Sequence, residues 1–391
     1  MITRRKLLNN SLILGCSAAA SPFITPISLL AAPTDNRFVV IVLRGGMDGL
    51  DVVQPIGDKN FSSLRNKIKT GEAAGAHDLD GFFALHSALG DLMPLYKANQ
   101  LAFAHALSTP YRDKRSHFDG QDFLENGGFA TNGGLTKQRD GWLNRLLSFI
   151  PNSSISTAFS VGRQRLMILD GKQQTSSWSP DSDLDLSPQA QILLKKLYEN
   201  DKLFASSADI ALDLSGKMDS SMGAGRAAKA KALAAFAADR LNEETRIAAF
   251  SIGGWDTHRN QSATLPRALK ELSAAILTLK NRLGANWDRT AILAMTEFGR
   301  TVRENGSAGT DHGTGGAMLM AGGAVAGGKI YGEWPGLATS DLYENRDLNP
   351  TSDVRSYAAS AIADLFSIKK STLETSIFPQ LDMGEKKRII L

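Results

Sequence analysis

The sequence FVVIVLRGGMDGLD, residues Phe38 to Asp51, holds six apolar residues followed by a glycine-rich turn with two carboxylates. The apolar run, rich in β-branched residues, predicts a buried strand. A carboxylate that follows a strand and is flanked by glycines is well placed to bind a metal. We therefore expect Asp48 to be a metal ligand, with Asp51 as its alternative. The competing interpretation is a turn Asp that caps the next segment.

Further apolar runs predict strands at Leu101 to Leu107, Arg246 to Ile252, Ala291 to Thr296 and Ala317 to Ala321. Helical patterns lie at Ser87 to Asn99, Trp142 to Ile150, Thr264 to Leu283 and Val354 to Phe366. Strands that alternate with amphipathic helices predict an α/β fold with a mainly parallel central sheet. Ligands of such sheets bind beyond the carboxyl ends of the strands.

Residues 162–243 differ from this pattern and predict a helical insertion or cap. They contain an amphipathic segment, Pro188 to Asn200, and an alanine-rich run, Ala227 to Ala238. We expect residues 33–391 to form one large α/β domain that includes this insertion.

The N-terminus has the features of an export signal, which we assign to residues 1–32. Arg4 and Arg5 precede an apolar run and are followed later by the small residues Ala31 and Ala32, a pattern typical of the twin-arginine route. This predicts a periplasmic or secreted protein that contacts the twin-arginine translocase during export. A short membrane anchor and a lipoprotein site at Cys16 are the alternatives. The apolar run is shorter than a membrane span needs, so the mature chain is expected to have none.

Composition excludes several classes of partner and chemistry. The formal net charge is +4, and removal of the three basic residues of the signal leaves +1, which gives no basis for nucleic-acid binding. Cys16 is the only cysteine and lies in the signal. A cysteine nucleophile and a thiolate zinc site are therefore excluded from the mature chain.

Two glycine-rich stretches pair a carboxylate with an imidazole: GGWDTH at residues 253–258 and GTDHGTGG at residues 309–316. Asp256 and His258 are two residues apart, so in an extended chain they share one face and can share one ion. Asp311 and His312 are adjacent, and only a bent loop brings both inward. We expect all four to be metal ligands. In the alternative interpretation, they only hydrogen-bond within their loops.

Glu297 ends another apolar strand and has three interpretations: a metal ligand, a hydrogen-bonding partner of a ligand, or an ion-pair partner of Arg300 or Arg303.

A hydroxyl lies among basic residues at Arg115-Ser116-His117. Ser116 is either the nucleophile of a phosphoryl or sulfuryl transfer or the N-cap of a helix that begins near His117. His117 is a ligand, a general acid or a residue that orients the loop. Arg44, Arg115 or Arg300 could stabilise negative charge that develops during a reaction.

Together these motifs resemble the bacterial domain-of-unknown-function family 1501. The resemblance rests on RGGMDGL at residues 44–50, RSHF at 115–118, GWDTH at 254–258, TEFGR at 296–300 and TDHG at 310–313. That family looks like a branch of the alkaline phosphatase and sulfatase superfamily, which implies helices on both faces of the sheet. It also implies roles in one site for Asp48, Ser116, Asp256 with His258, and Asp311 with His312.

The resemblance implies a divalent metal ion, either Zn, Ca or Mn. Such phosphatases usually have another histidine after the late Asp-His pair. None follows His312 here, which favours one metal site over two. We expect an exported metal-dependent hydrolase of phosphate or sulfate esters, acting on a small anionic ester or a decorated polysaccharide. The alternative is a non-catalytic binding or assembly protein on a degenerate fold of this type.

Overall fold

The computed structural model describes residues 35–112, 114–131, 134–135, 139–179, 196 and 226–391. Its main sheet contains nine strands: β1 Arg37–Arg44, β2 Leu101–Ser108, β3 Ala158–Val161, β4 Ser176–Trp178, β5 Ile247–Gly253, β6 Thr290–Thr296, β7 Gly316–Ala321, β8 Ile330–Tyr331 and β9 Ser352–Asp353. The five strands predicted from apolar runs are all present, with ends that differ by no more than one residue.

The strand order is β8-β2-β7-β6-β1-β5-β3-β4, and β9 also pairs with β2. At the centre, β1 is parallel to β5 on one side and to β6 on the other. Only the pairs that involve β7 are antiparallel, with β6 and with β2. The prediction of a mainly parallel sheet is confirmed. As a result, β1, β2, β5 and β6 all end at the same edge.

Five α-helices of the described residues have six residues or more: α1 His117–Asn126, α2 Trp142–Leu147, α3 Arg226–Leu241, α4 Gln261–Leu283 and α5 Val354–Phe366. The shorter α-helices and the 3₁₀- and π-helices are Gly49–Val52, Phe61–Leu64, Glu72–Ala74, Ser87–Leu92, Met93–Lys97, Met167–Leu169, Gly284–Arg289, Thr339–Asp341, Lys370–Thr372 and Leu373–Ile377. Small strands outside the main sheet are Val53–Gln54, His77–Asp78, Ala84–Leu85, Ala130–Thr131 and Gly134–Leu135.

Helices cover both faces of the sheet. Alternate side chains of β1 enter two separate cores: Val39 and Ile41 pack on the side of α3 and α4, whereas Phe38 and Val40 pack on the side of α2 and α5. A central parallel strand that is apolar on both faces needs a helix layer on each. The α/β fold expected from the sequence is therefore the observed one.

The chain divides into two units, residues 1–35 and residues 36–391. Within the first unit only Asp35 is described, so the signal assigned to residues 1–32 lies outside the described residues. None of the described helices combines the length and the apolar character that a membrane span requires.

The range predicted as a helical insertion is described only at its two ends. β4 joins the edge of the main sheet, and the alanine-rich run forms α3, which packs on the sheet beside α4. The helix expected at Pro188 to Asn200 lies outside the described residues, apart from Lys196. The insertion as a whole stays a prediction.

Packing of α4 on the sheet makes a first prediction. Leu272 is completely buried among the apolar residues between α4 and the sheet. Leu272→Ala should lower the free energy of unfolding by about 2–5 kcal/mol, because it removes buried methyl groups and leaves a cavity. Urea unfolding followed by circular dichroism measures this loss. Lys270→Ala on the exposed face is the matched control, with an expected change within about 0.5 kcal/mol. Equal losses in the two variants would contradict this packing.

Candidate metal centre

Five segments meet at the carboxyl edge of the sheet. The chain leaves β1 at Arg44, β5 at Gly253 and β6 at Thr296, and the register of the parallel pairs aligns these three ends. β2 ends at this edge before the segment that leads into α1. β7, which runs in the opposite direction, starts at this edge just after His312. Residues distant in the sequence are therefore brought together at one place.

Close approach of the backbones at this edge requires glycine. Gly45 has a φ of 127°, and a Cβ atom there would lie 2.6 Å from the backbone nitrogen of Asp256. A Cβ atom on Gly309 would lie 2.3 Å from the carbonyl carbon of His258. Larger residues would separate the loop after β1 from the loop after β5, or the loop after β5 from the loop after β6.

Four side chains with metal-binding atoms converge at this edge. One ligand atom each from His117, Asp256 and His312 all lie within 4.8 Å of one another, and this is the one group of at least three such residues found in the described part of the chain. His312 Nε2 is 3.3 Å from Asp256 Oδ1, and His117 Nε2 is 3.5 Å from Asp256 Oδ2. His258 adjoins the group, because its Nε2 lies 2.9 Å from His312 Nε2 and 3.1 Å from Asp256 Oδ1.

Each of the three imidazoles is held through its Nδ1 atom. His117 Nδ1 is 2.8 Å from Glu297 Oε1, and His258 Nδ1 is 3.0 Å from Asp311 Oδ1. His312 Nδ1 is 2.8 Å from the carbonyl oxygen of Arg115. All three partners accept hydrogen bonds, so Nδ1 carries the proton and Nε2 faces the cluster. This is the arrangement of histidines that bind a metal through Nε2.

Two observations test whether a cation fits these residues. His117 Nε2 is buried and has no hydrogen-bond partner. His258 and His312 bring their Nε2 atoms to 2.9 Å, where two lone pairs would repel unless a proton or a cation is shared. A buried nitrogen without a partner and two crowded nitrogens beside a carboxylate are satisfied together by one positive ion. The residues therefore fit a divalent metal.

Arg300 connects the loops that carry these residues. Its guanidinium is buried and donates to the carbonyl oxygens of Gly46 at 2.7 Å and Thr310 at 2.9 Å, and to Asp256 Oδ1 at 2.5 Å. Burial raises the pKa of Asp256, but the hydrogen bond and charge of Arg300 outweigh it and hold the pKa below its usual range. Asp256 is therefore ionised at neutral pH.

Glu297 serves as the partner of His117. It is completely buried and also accepts from the backbone nitrogen of Gly45 at 2.9 Å and from the hydroxyl of Thr296 at 2.9 Å. Burial raises the pKa of Glu297, but the hydrogen bond from His117 and those from backbone N–H groups lower it below the ordinary value. In turn, the hydrogen bond to Glu297 raises the pKa of His117. In the structure Glu297 is a hydrogen-bonding partner of His117, and its role as a metal ligand stays a prediction.

The side chains of the neighbours Asp311 and His312 point to different partners, so the loop does not bring both into the cluster. His312 enters the cluster, whereas Asp311 holds His258 and also accepts from Asn305 Nδ2 at 3.0 Å. Burial raises the pKa of Asp311, but the hydrogen bonds from Asn305 and His258 keep it below its usual range. Burial lowers the pKa of His312, and the positive charge of Arg300 lowers it further.

Ser116 is the N-cap of α1. Its Oγ accepts from the backbone nitrogen of Asp119 at 3.4 Å, and its own backbone nitrogen donates to Tyr111 Oη at 2.8 Å. Arg115 has a φ of 50°, which is unusual for a residue other than glycine. The cap interpretation of Ser116 is thus realised, and Ser116 directly precedes the cluster residue His117.

Arg44 and Arg115 lie near the cluster and are both tied to carboxylates. Arg44 pairs with Glu125 at 2.9 Å and donates to Gln121 at 3.0 Å. Arg115 donates to Glu344 at 3.1 Å and to Asp347 at 3.2 Å. Both side chains are about a quarter exposed, and the Nε atom of each is buried without a hydrogen-bond partner.

Asp48 is held elsewhere. Its carboxylate is buried, accepts from Arg65 Nη1 at 2.6 Å and from Gln261 Nε2 at 2.7 Å, and caps the helix Gly49–Val52 through the backbone nitrogen of Leu50. Within the described residues, Asp48 is not part of the group whose ligand atoms meet. The capping alternative is present in the structure, and a role for Asp48 as a ligand is left as a prediction.

The sequence motifs match a known family. A family model described as "Protein of unknown function (DUF1501)" matches residues 103–376, which is more than half of the chain. The chain belongs to this family. The resemblance inferred from the motifs is thereby confirmed. No curated protein sequence matches this DUF1501 chain.

Three solved structures have folds that are distantly similar to that of this DUF1501 chain. The lipoteichoic acid synthase LtaP from Listeria monocytogenes is 10% identical with a TM-score of 0.42, covering 88% of this chain and 76% of that one. The C-terminal periplasmic domain of EcEptC from Escherichia coli, in complex with Zn, is 10% identical with a TM-score of 0.38, covering 91% and 92%. An alkaline phosphatase superfamily protein from Vibrio parahaemolyticus is 13% identical with a TM-score of 0.38, covering 85% and 68%. Structural similarity this distant does not support any inference about activity.

Several residues that support the site of this DUF1501 chain were missed from the sequence. Gln121 lies four residues after His117 on the same face of α1 and donates to Glu297 at 3.3 Å, so helical spacing could have identified it. Asn305 lies in the loop before Asp311, but nothing in its surroundings distinguishes it from other loop residues. Arg65 lies in a segment without any motif.

Glu125, the partner of Arg44, gives a prediction about pH. Burial raises its pKa from 4.5 to about 7, although Arg44 opposes the rise. Between these values the folded state binds more protons than the unfolded state, so stability should fall as the pH rises through this window. Glu125→Gln should flatten that slope. Urea unfolding of metal-free protein at a series of pH values from about 5 to about 8 measures it. Glu243→Gln at a half-exposed site is the control. Equal slopes in wild type and Glu125→Gln would contradict the assignment.

Proposed function

We propose that this chain is an exported metal-dependent hydrolase of phosphate or sulfate esters. The observation that carries the proposal is the convergence of three Nε2 atoms, from His117, His258 and His312, on the ionised carboxylate of Asp256. Each imidazole is hydrogen-bonded through Nδ1, and such a bond fixes the tautomer and the ring orientation of a histidine that binds a metal through Nε2. Asp311 and Glu297 act as the partners that orient His258 and His117.

The donor set favours zinc or manganese over calcium. Calcium takes six to eight oxygen ligands, whereas several imidazoles with one carboxylate suit zinc, and manganese also accepts such mixed sets. One cluster is present among the described residues, which supports one ion rather than two. Such an ion would supply Lewis-acid polarisation of an ester oxygen and activation of a nucleophilic oxygen.

Ser116 is the side chain best suited to be the nucleophile. It directly precedes His117 at the N-terminus of α1, where backbone N–H groups and the helix dipole favour negative charge. In its cap bond the hydroxyl oxygen is the acceptor, so that bond does not use the hydroxyl hydrogen. His117 would then bind the ion and hold the loop that carries Ser116 beside it. A water molecule is the alternative nucleophile.

Arg44 and Arg115 are the residues proposed to contact the anionic ester. Both side chains are partly exposed, and each has an Nε atom without a hydrogen-bond partner. Arg44 donates to Gln121, which donates to Glu297, and the carbonyl oxygen of Arg115 is 2.8 Å from His312 Nδ1. Arg300 is buried and already donates to the loops, so it acts on the ester only through Asp256. The substrate class remains a small anionic ester or a decorated polysaccharide. The twin-arginine pattern supports export to the periplasm or beyond.

Metal binding gives the first test of this proposal. Purified protein should bind about one equivalent of Zn²⁺ or Mn²⁺, measured by elemental analysis after dialysis. His312→Ala should lower the affinity for Zn²⁺ by at least about tenfold, because it removes a ligand nitrogen. His77→Gln, in the small strand His77–Asp78 and outside the group of ligand atoms that meet, is the control and should bind as the wild type does. Wild-type protein without metal would contradict the proposal.

Turnover gives the second test. Metal-loaded protein should hydrolyse at least one substrate in a panel of phosphomonoesters, phosphodiesters and sulfate esters. Ser116→Gly removes the hydroxyl but costs a helix N-cap only a few tenths of a kcal/mol. We expect its kcat to fall at least about 100-fold with metal content unchanged. Unchanged turnover would assign the nucleophile to water. No turnover by wild type on any ester would favour the non-catalytic binding or assembly protein.

A further inference from the structure

We propose that Gln261 positions the two loops that carry Asp256, His258 and His312, and so sets the affinity of the site for its metal. Gln261 is the first residue of α4 and is completely buried. None of its side-chain hydrogen bonds described below goes to His117, Asp256, His258 or His312. The inference rests on the proposed metal site, and it adds a positioning residue that no motif indicates.

The amide oxygen of Gln261 binds one residue of each loop. Oε1 accepts from the hydroxyl of Thr257 at 2.8 Å and from the hydroxyl of Thr310 at 2.7 Å. Thr257 lies between Asp256 and His258, and Thr310 lies two residues before His312. The two threonines are also joined directly, because the backbone nitrogen of Thr310 donates to the carbonyl oxygen of Thr257 at 3.1 Å. One oxygen atom therefore fixes the two loops relative to each other.

The amide nitrogen of Gln261 determines which way the amide faces. Nε2 donates to Asp48 Oδ2 at 2.7 Å and to Asp51 Oδ2 at 2.8 Å. Both carboxylates are buried, and Asp48 is kept ionised by Arg65, although burial opposes ionisation. A flipped amide would turn its oxygen toward two carboxylates and its nitrogen toward two hydroxyls. The nitrogen must therefore face Asp48 and Asp51, which leaves the oxygen for the threonines.

Asp48 and Asp51 connect Gln261 to the segment that follows β1. Asp48 and Asp51 lie in the loop and short helix after β1, whereas the threonines belong to the loops after β5 and β6. The backbone nitrogen of Gln261 also donates to the carbonyl oxygen of Ala308 at 2.9 Å, which adds a second bond from α4 to the late loop. The start of α4 thus aligns the metal-binding loops against the segment that follows β1.

The chain offers a matched control. Gln54 is a second buried glutamine beside Asp51: its Nε2 donates to Asp51 Oδ1 at 3.2 Å, and its Oε1 accepts from the backbone nitrogen of Gly71 at 2.7 Å. It is bonded to the same carboxylate but to neither metal-binding loop in the bonds described. Gln54→Leu and Gln261→Leu therefore both remove a buried amide from Asp51, and only the second releases the threonines.

The test measures the dissociation constant for Zn²⁺ by competition with a chromophoric chelator, at a temperature where circular dichroism shows each variant folded. Gln261→Leu should weaken binding at least about tenfold, the size typical for the loss of a residue that orients ligands. Gln54→Leu should stay within about threefold of wild type. The absorption spectrum of bound Co²⁺ should change in Gln261→Leu only, since it reports the geometry of the ligands.

A milder pair of variants covers the case in which Gln261→Leu does not fold. Thr310→Val removes one hydroxyl that donates to Gln261 and keeps the shape of the side chain. Thr290→Val removes a buried hydroxyl at the start of β6, where it donates to the carbonyl oxygen of Asn286. Weaker Zn²⁺ binding in Thr310→Val alone supports the proposal. Wild-type affinity in both Gln261→Leu and Thr310→Val overturns it, as does equal weakening in the control variants. Wild-type protein that binds no Zn²⁺ overturns the metal site itself instead.

Discussion

The candidate site depends on one buried cation, the guanidinium of Arg300. Three loops that follow β1, β5 and β6 each present an acceptor to it, and the last two of these loops carry Asp256, His258 and His312. A buried guanidinium is stable only where its donors are satisfied, so the loops must close around it in one arrangement. Removal of Arg300 would leave the ionised Asp256 and several inward carbonyl oxygens without donors at the same time. The geometry of the cluster therefore depends on the hydrogen bonds from Arg300 to the carbonyl oxygens of these loops.

Much of the fold could be predicted because its central strands are apolar on both faces. Phe38 to Leu43 and Ala291 to Thr296 lack the polar alternation of a half-exposed strand, and this alone indicates a sheet covered by helices. Strand direction was harder to predict. β7 is as apolar as its neighbours, and apolarity is insensitive to the direction of the chain, so only pairing in three dimensions reveals that β7 runs antiparallel to β6 and β2.

The location of the site could be predicted, but the division of roles within it could not. Loops at the carboxyl edge of a parallel sheet lie close together, so the proximity of Asp256 and His312 could be predicted from the sequence. Whether a carboxylate faces the centre or holds an imidazole depends on side-chain directions in irregular loops, and spacing does not encode these. Asp311 and Glu297 proved to be partners of histidines, and Asp48 pairs with Arg65, whose segment carries no motif.

The cluster residues are far apart in the sequence, from His117 to His312. This separation determines when during folding an ion could bind. No short segment contains all of these residues, so an ion at the proposed site would be bound only after β2, β5, β6 and β7 have paired. A metal that binds only the folded state stabilises it by mass action, and unfolding then requires its release. Export of a folded chain, which the twin-arginine pattern predicts, would mean that the ion is chosen from the compartment of synthesis. Metal supply inside the cell would then govern the protein outside it.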